Sequence, residues 1–150
     1  MKFLVDENEH AGICAPLTML HPAHTFEHVS AVGLAGLLDV ELFAAMHARG
    51  YNALLTQDRA QIMDNLEELD ALLEHGIHWI GRKQSHQPGI RSLAIATSTY
   101  VSAMPDVLEL VQSTESPLQV RLSNVQIGIG PRVKSSPLIS FRDRLVKKAA

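Results

Sequence analysis

Lys2-Phe3-Leu4-Val5-Asp6-Glu7-Asn8 opens with an apolar run that stops at two acids and an amide. A run without polar alternation predicts a strand buried on both faces, as in a parallel sheet, with polar groups where it leaves the core. The same grammar returns at Asn52-Ala53-Leu54-Leu55-Thr56, which stops at Gln57-Asp58-Arg59, and again from Ile77 to Ile80. Helical spacing fills the intervals. One helix is expected from Glu9 to Leu20, with Pro16 kinking or restarting it. His24 to Val29 alternates and reads as a second strand, and Gly33 and Gly36 mark a loop. A further helix is expected from Asp39 to Arg49, with Asp39 as N-cap, Leu38 and Phe43 as a hydrophobic staple, and Gly50 just past its end. Leu66 to His75 is a third helix, closed by Gly76. Strands alternating with helices predict an α/β fold, a parallel sheet with helices on both faces.

Beyond a polar loop at Gln84 to Gly89, Ile90 to Met104 reads as a mostly buried helix that stops before Pro105. A separate helical piece is expected over Asp106 to Gln112, with Pro105 in its first turn. Pro117 to Leu122 and Val125 to Ile129 read as late strands, or as one strand broken at Ser123-Asn124.

Composition narrows the class. The 150 residues are 46% hydrophobic and 19% charged, enough for one packed core and unlike a disordered chain. No apolar run approaches the ~20 residues needed to span a bilayer, and the N-terminal run is too short for a secretory signal. Cys14 is the single cysteine, so an internal disulfide is excluded. These features predict a soluble, cytoplasmic domain. Charge is unevenly spread: residues 1–130 hold fifteen carboxylates against seven Lys/Arg, whereas 131–150 carry six Lys/Arg against Asp143. The expected division is therefore a body over 1–130 and a basic tail over 131–150.

In an open α/β sheet the ligand site lies beyond the carboxyl ends of the strands. That rule sends Asp6 and Glu7, Asp58, and the helix start Asp39 with Glu41 towards one edge. Two carboxylates ~4 Å apart repel by roughly 4 kcal/mol at an effective dielectric of 20. Converging acids therefore need a proton, distance or a cation, and Mg²⁺ prefers such oxygen ligands. Each acid alone also has an ordinary reading, as helix cap, turn former or solvated surface group.

The order of these segments resembles the short PIN-like domains often found as bacterial toxins. The resemblance rests on Phe3-Leu4-Val5-Asp6-Glu7-Asn8, on Gly33-Leu34-Ala35-Gly36 leading into Asp39-Val40-Glu41, and on Thr56-Gln57-Asp58. It implies a three-layer α/β/α fold with a mostly parallel central sheet, and an Mg²⁺- or Mn²⁺-dependent endoribonuclease acting on RNA. An antitoxin protein is the implied partner, and a homodimer is open. Carried over by position, the resemblance makes Asp6, Asp39 and Asp58 metal-facing catalytic carboxylates, with Glu41 and Glu7 completing the shell. Thr56 supports them, and Arg59 stands ready for a phosphate. After Asp58 the chain departs from the pattern: Arg59-Ala60-Gln61-Ile62 stands where members usually carry a second Asp and an aromatic. The alternative function is a non-catalytic PIN-like module that binds RNA or protein.

Other constellations are weaker. His21, His24 and His28 lack a fourth ligand for zinc. Gly128-Ile129-Gly130-Pro131 is no phosphate loop, because no Lys-Ser/Thr follows. No Gly-x-Ser-x-Gly elbow is present. A receiver domain would need a lysine at a later strand end, and none is suitably placed. The basic tail is read either as an RNA contact or as a docking helix from Phe141 to Lys148.

Overall fold

The computed structural model describes residues 1–127 and 132–149. Its centre is a sheet of five parallel strands: β1 (Lys2–Val5), β2 (Thr25–His28), β3 (Ala53–Thr56), β4 (His78–Arg82) and β5 (Gln119–Leu122), in the order β2-β1-β3-β4-β5. Phe3 lies opposite both Phe26 and Ala53, and Leu55 lies opposite Ile80, so the apolar cores of four strands stack in register. All five strands are parallel, where the sequence predicted mostly so.

Helices cover both faces. On one side α1 (Cys14–Leu20) and α5 (Ile90–Gln112) close over Phe3, Val5, Leu55 and Ile80. On the other, α2 (Asp39–Ala48) and α4 (Leu66–His75) close over Leu4, Leu54 and Trp79. A one-turn helix, α3 (Ala60–Met63), links β3 to α4, and α6 (Leu138–Ala149) is the last described element. The result is a three-layer α/β/α fold. Among the described residues no helix is long and apolar enough to cross a membrane.

The crossovers are uneven. β3 to β4 and β4 to β5 step in the same direction across the sheet, yet α4 lies on one face and α5 on the other. The last crossover therefore winds with the opposite hand to the one before it, against the strong general preference for one hand. One consequence is local. On the α2/α4 side no crossover helix is laid over β5, and Gln119 and Arg121 stand exposed there.

Several local expectations need correcting. The first helix does not run from Glu9: a 3₁₀ turn at Ala11–Ile13 leads into α1 at Cys14. Pro16 then falls in the first turn, where its missing N–H has no intrahelical partner to lose. Asp39 is not the N-cap. Leu38 holds that position with an extended backbone and no capping side chain, and Asp39 is the first helical residue. The break at Pro105 is absent, since α5 runs unbroken through it. A proline inside a helix costs about 3 kcal/mol. Burying Met104, Val107 and Val111 against the sheet gives back about 1.5–3 kcal/mol each, and Pro105 itself lies on the exposed side. Val125 does not begin a strand; its N–H donates to the Thr99 hydroxyl at 3.1 Å. The rest of that expected strand, the 130/131 boundary and Gly128-Ile129-Gly130-Pro131 lie wholly or partly outside the described residues.

Candidate functional site

The carboxyl ends of β1 and β3 are adjacent, and the chain stitches them together with side chains. Asp6 ends β1 with its N–H still donating to Leu55, at 2.9 Å. Its carboxylate accepts three bonds: the Glu7 N–H on Oδ1, and the Thr56 hydroxyl (2.7 Å) and Asn8 amide (2.8 Å) on Oδ2. The Thr56 hydroxyl in turn accepts the Asp58 N–H at 3.0 Å. One buried hydroxyl thereby fixes the Asp6 carboxylate and the backbone that carries Asp58. Asn8 completes the seam by accepting the Gln57 N–H at 3.1 Å, and the Gln57 amide donates to the Asn8 carbonyl.

This edge opens into a cleft of about 700 Å³, whose walls include Asp6, Glu7, Asp39, Glu41 and Asp58. All five acids proposed from sequence therefore face one space. They are unequal within it. Asp6 is only 5% exposed. Burial holds its carboxyl above the usual carboxylate range, Asp39 and Asp58 push the same way, and the Thr56 and Glu7 donors pull against them. Glu7 is exposed and accepts the Gly36 N–H at 3.0 Å, tying the loop before α2 to the end of β1. Glu41 lies in the first turn of α2 and is exposed. The carboxylates share the cleft without closing on a common point: among the described residues no three His, Cys, Asp or Glu side chains gather as a metal-ligand set.

Four lining residues were not anticipated. Glu67 and Glu68, in the first turn of α4, bring two more acids, and Asn65 caps that helix by accepting the Glu68 N–H. Glu68 is close enough to Asp39 and Asp58 to feel both. Its carboxyl is raised by burial first, then by those two charges. The Asn65-x-x-Glu68 spacing is a legible capping signature, but its direction towards the cleft depends on how α4 packs beside α2.

Gln61 is the fourth. It is 1% exposed and donates from Nε2 to Asp39 Oδ1 at 2.8 Å, while its Oε1 accepts the Trp79 indole N–H at 3.1 Å. The indole can only donate, so it fixes which end of the amide faces Asp39.

Beneath the seam lies a buried ion pair. Glu9 and Arg82 are both fully enclosed, with Arg82 Nη2 donating to Glu9 Oε2 at 2.7 Å. The Tyr100 hydroxyl donates to Glu9 Oε1 at 3.0 Å and lies 3.2 Å from the Thr56 carbonyl. Burial, then the Glu9 charge, pushes the Tyr100 phenol well above its ordinary range, so it stays a donor. Nothing in the sequence marked this trio, because its members are far apart in the chain and only the packing of α5 unites them. The histidines near β2 form no such cluster: His28 bonds Ser30 and the Glu9 carbonyl, and His24 lies 3.2 Å from the N-terminal amine.

A parallel α/β/α sheet with carboxylates at the carboxyl ends of β1 and β3 places its acids at the edge where open α/β sheets bind ligands. Residues 1–84 match the family model described as PIN like domain. The chain belongs to this PIN-like family, whose members are commonly nucleases. No curated protein and no solved structure matches the chain.

Proposed function

We propose that the chain is a metal-dependent endoribonuclease that hydrolyses RNA phosphodiesters in the acidic cleft, as the toxin of a toxin–antitoxin pair. The observation that carries this reading is the convergence of Asp6, Asp39 and Asp58 on one cleft at the carboxyl edge of the sheet. The donor chemistry fits a hard divalent ion: every charged group lining the cleft is a carboxylate, and Mg²⁺ or Mn²⁺ favours oxygen ligands and keeps several waters. Such waters would let carboxylates that do not touch share one ion. Asp6, Asp39 and Asp58 would hold it, with Glu7, Glu41 and Glu68 as outer groups. When bound, such an ion lowers the pKa of a coordinated water and neutralises developing charge on the phosphate.

The chain's own residues prepare that site. The Thr56 hydroxyl and Asn8 amide orient the Asp6 carboxylate, and Gln61 orients Asp39. Cleavage of a labelled RNA is expected in Mn²⁺, with none in EDTA. The Asp6→Asn variant should lose at least a hundredfold in rate, since its amide places a donor where a cation must sit. Undiminished cleavage by Asp6→Asn would overturn the assignment. Growth arrest on expression, relieved by the product of an adjacent gene, tests the toxin role. A folded protein that binds RNA or a protein partner, but neither Mn²⁺ nor cuts, would support the non-catalytic alternative.

A further inference from the structure

A second pocket, of about 390 Å³, opens at the carboxyl ends of β4 and β5, and its chemistry is the reverse of the first. Arg59, Lys83 and Arg121 line it with Ser123, and all three cations are exposed. Among the described residues no carboxylate lies within ion-pair distance of Arg59, Lys83 or Arg121, so these three charges face the pocket without carboxylate partners. Their polar contacts are light. Arg59 reaches the Met63 sulfur at 3.6 Å, and Arg121 donates to the Gln119 side-chain oxygen.

The pocket is built rather than incidental. Arg82 and Asn124 both donate to the Lys83 carbonyl, at 3.2 and 2.7 Å, holding the β4 and β5 ends together. Gly81 gives the floor its depth, since a Cβ there would lie 1.9 Å from the Trp79 ring. Trp79 is also the partition between the two sites: its ring lines the basic pocket, while its N–H holds Gln61 and, through it, Asp39 of the acidic cleft. Arg59 directly follows Asp58. The two pockets are therefore neighbours on one edge, one acidic and one basic.

An acidic cleft repels the polyanion it is meant to bind, and a cationic neighbour offsets that field. Guanidinium groups suit phosphate because they present paired donors in a plane. We propose that the basic pocket is a phosphate-binding subsite for a single-stranded RNA whose adjoining linkage lies in the acidic cleft. The subsite extends the nuclease reading above, and rests on it for the choice of RNA.

The test separates the two. Binding of a fluorescein-labelled single-stranded RNA is measured by anisotropy in EDTA, across a salt series, for the wild type and for Lys83→Gln/Arg121→Gln; cleavage is measured separately in Mn²⁺. The double variant should bind at least tenfold more weakly, with its melting temperature unchanged. Its log–log salt dependence should flatten by about 0.7 per phosphate contact removed. Unaltered affinity and slope would overturn the subsite even where the wild type cuts RNA; the expected loss would support it even where no cleavage occurs. A labelled oligoglutamate that binds as tightly, and loses as much in the variant, would overturn the RNA assignment in favour of an acidic protein segment.

Discussion

Gln61 is a neutral group placed where a charge would be expensive. Its amide donates to Asp39 and accepts from Trp79, so Gln61→Glu keeps the indole bond but turns an oxygen towards Asp39. The new carboxyl, buried and facing another, should have its pKa raised. A raised carboxyl contributes stability below its unfolded pKa and loses it as pH rises through the folded one. The variant should therefore be weaker than wild type by about 1–3 kcal/mol at pH 8 and recover towards pH 5, read by urea unfolding. Asp6 and Glu68 obey the same sign in the native protein, since both are raised, chiefly by burial. The melting temperature should fall as pH rises from just above the ordinary carboxylate range towards neutrality. Millimolar Mn²⁺ should restore it at neutral pH and do less at acid pH, where protons compete. A melting curve indifferent to Mn²⁺ at pH 7.5 would count against a cation site. The placement of Asp6, Asp39 and Asp58 along one cleft was legible because strand ends and helix starts announce themselves in sequence. Gln61 and Glu68 were not, because a polar residue on a helix declares its period but not which neighbour it will meet.

The same distinction holds for whole elements. β1, β3 and α4 were readable nearly to the residue, since apolar runs, Gly76 in a left-handed turn and 3.6-residue spacing are local signals. Asp39 was misplaced by one position because an acid looks the same as a cap or as the first helical residue, and only the extended backbone at Leu38 decides. α5 was split at Pro105 because helix-breaking is a local rule, whereas the apolar face that carries the helix through is tertiary. That reading has a consequence for stability. Pro105→Ala restores the missing N–H and leaves the buried face untouched, so it should stabilise the protein by about 1–3 kcal/mol. No gain in the urea midpoint would mean that the proline is already accommodated by its surroundings.

At the scale of the molecule, the stretch that identifies the family and the stretch that makes a core are different lengths. Residues 1–84 carry β1 to β4, but α5 supplies Tyr100, Met104, Val107 and Val111 to the face that also holds Phe3, Val5, Leu55 and Ile80. A fragment ending at 84 would bare that face and leave the buried Glu9–Arg82 pair without the Tyr100 donor. It should bind an apolar dye and aggregate, while a fragment ending at 127 should melt cooperatively; a monomeric, cooperative 1–84 would contradict this partition. The wall between the two pockets has a further use. Trp79 is the chain's single tryptophan, 2% exposed, with its indole N–H in the relay to Asp39 and its ring beside the cationic pocket. The protein thus carries a built-in fluorophore at the junction of its two sites, so an ion on one side or a nucleotide on the other can be followed from its emission without a label.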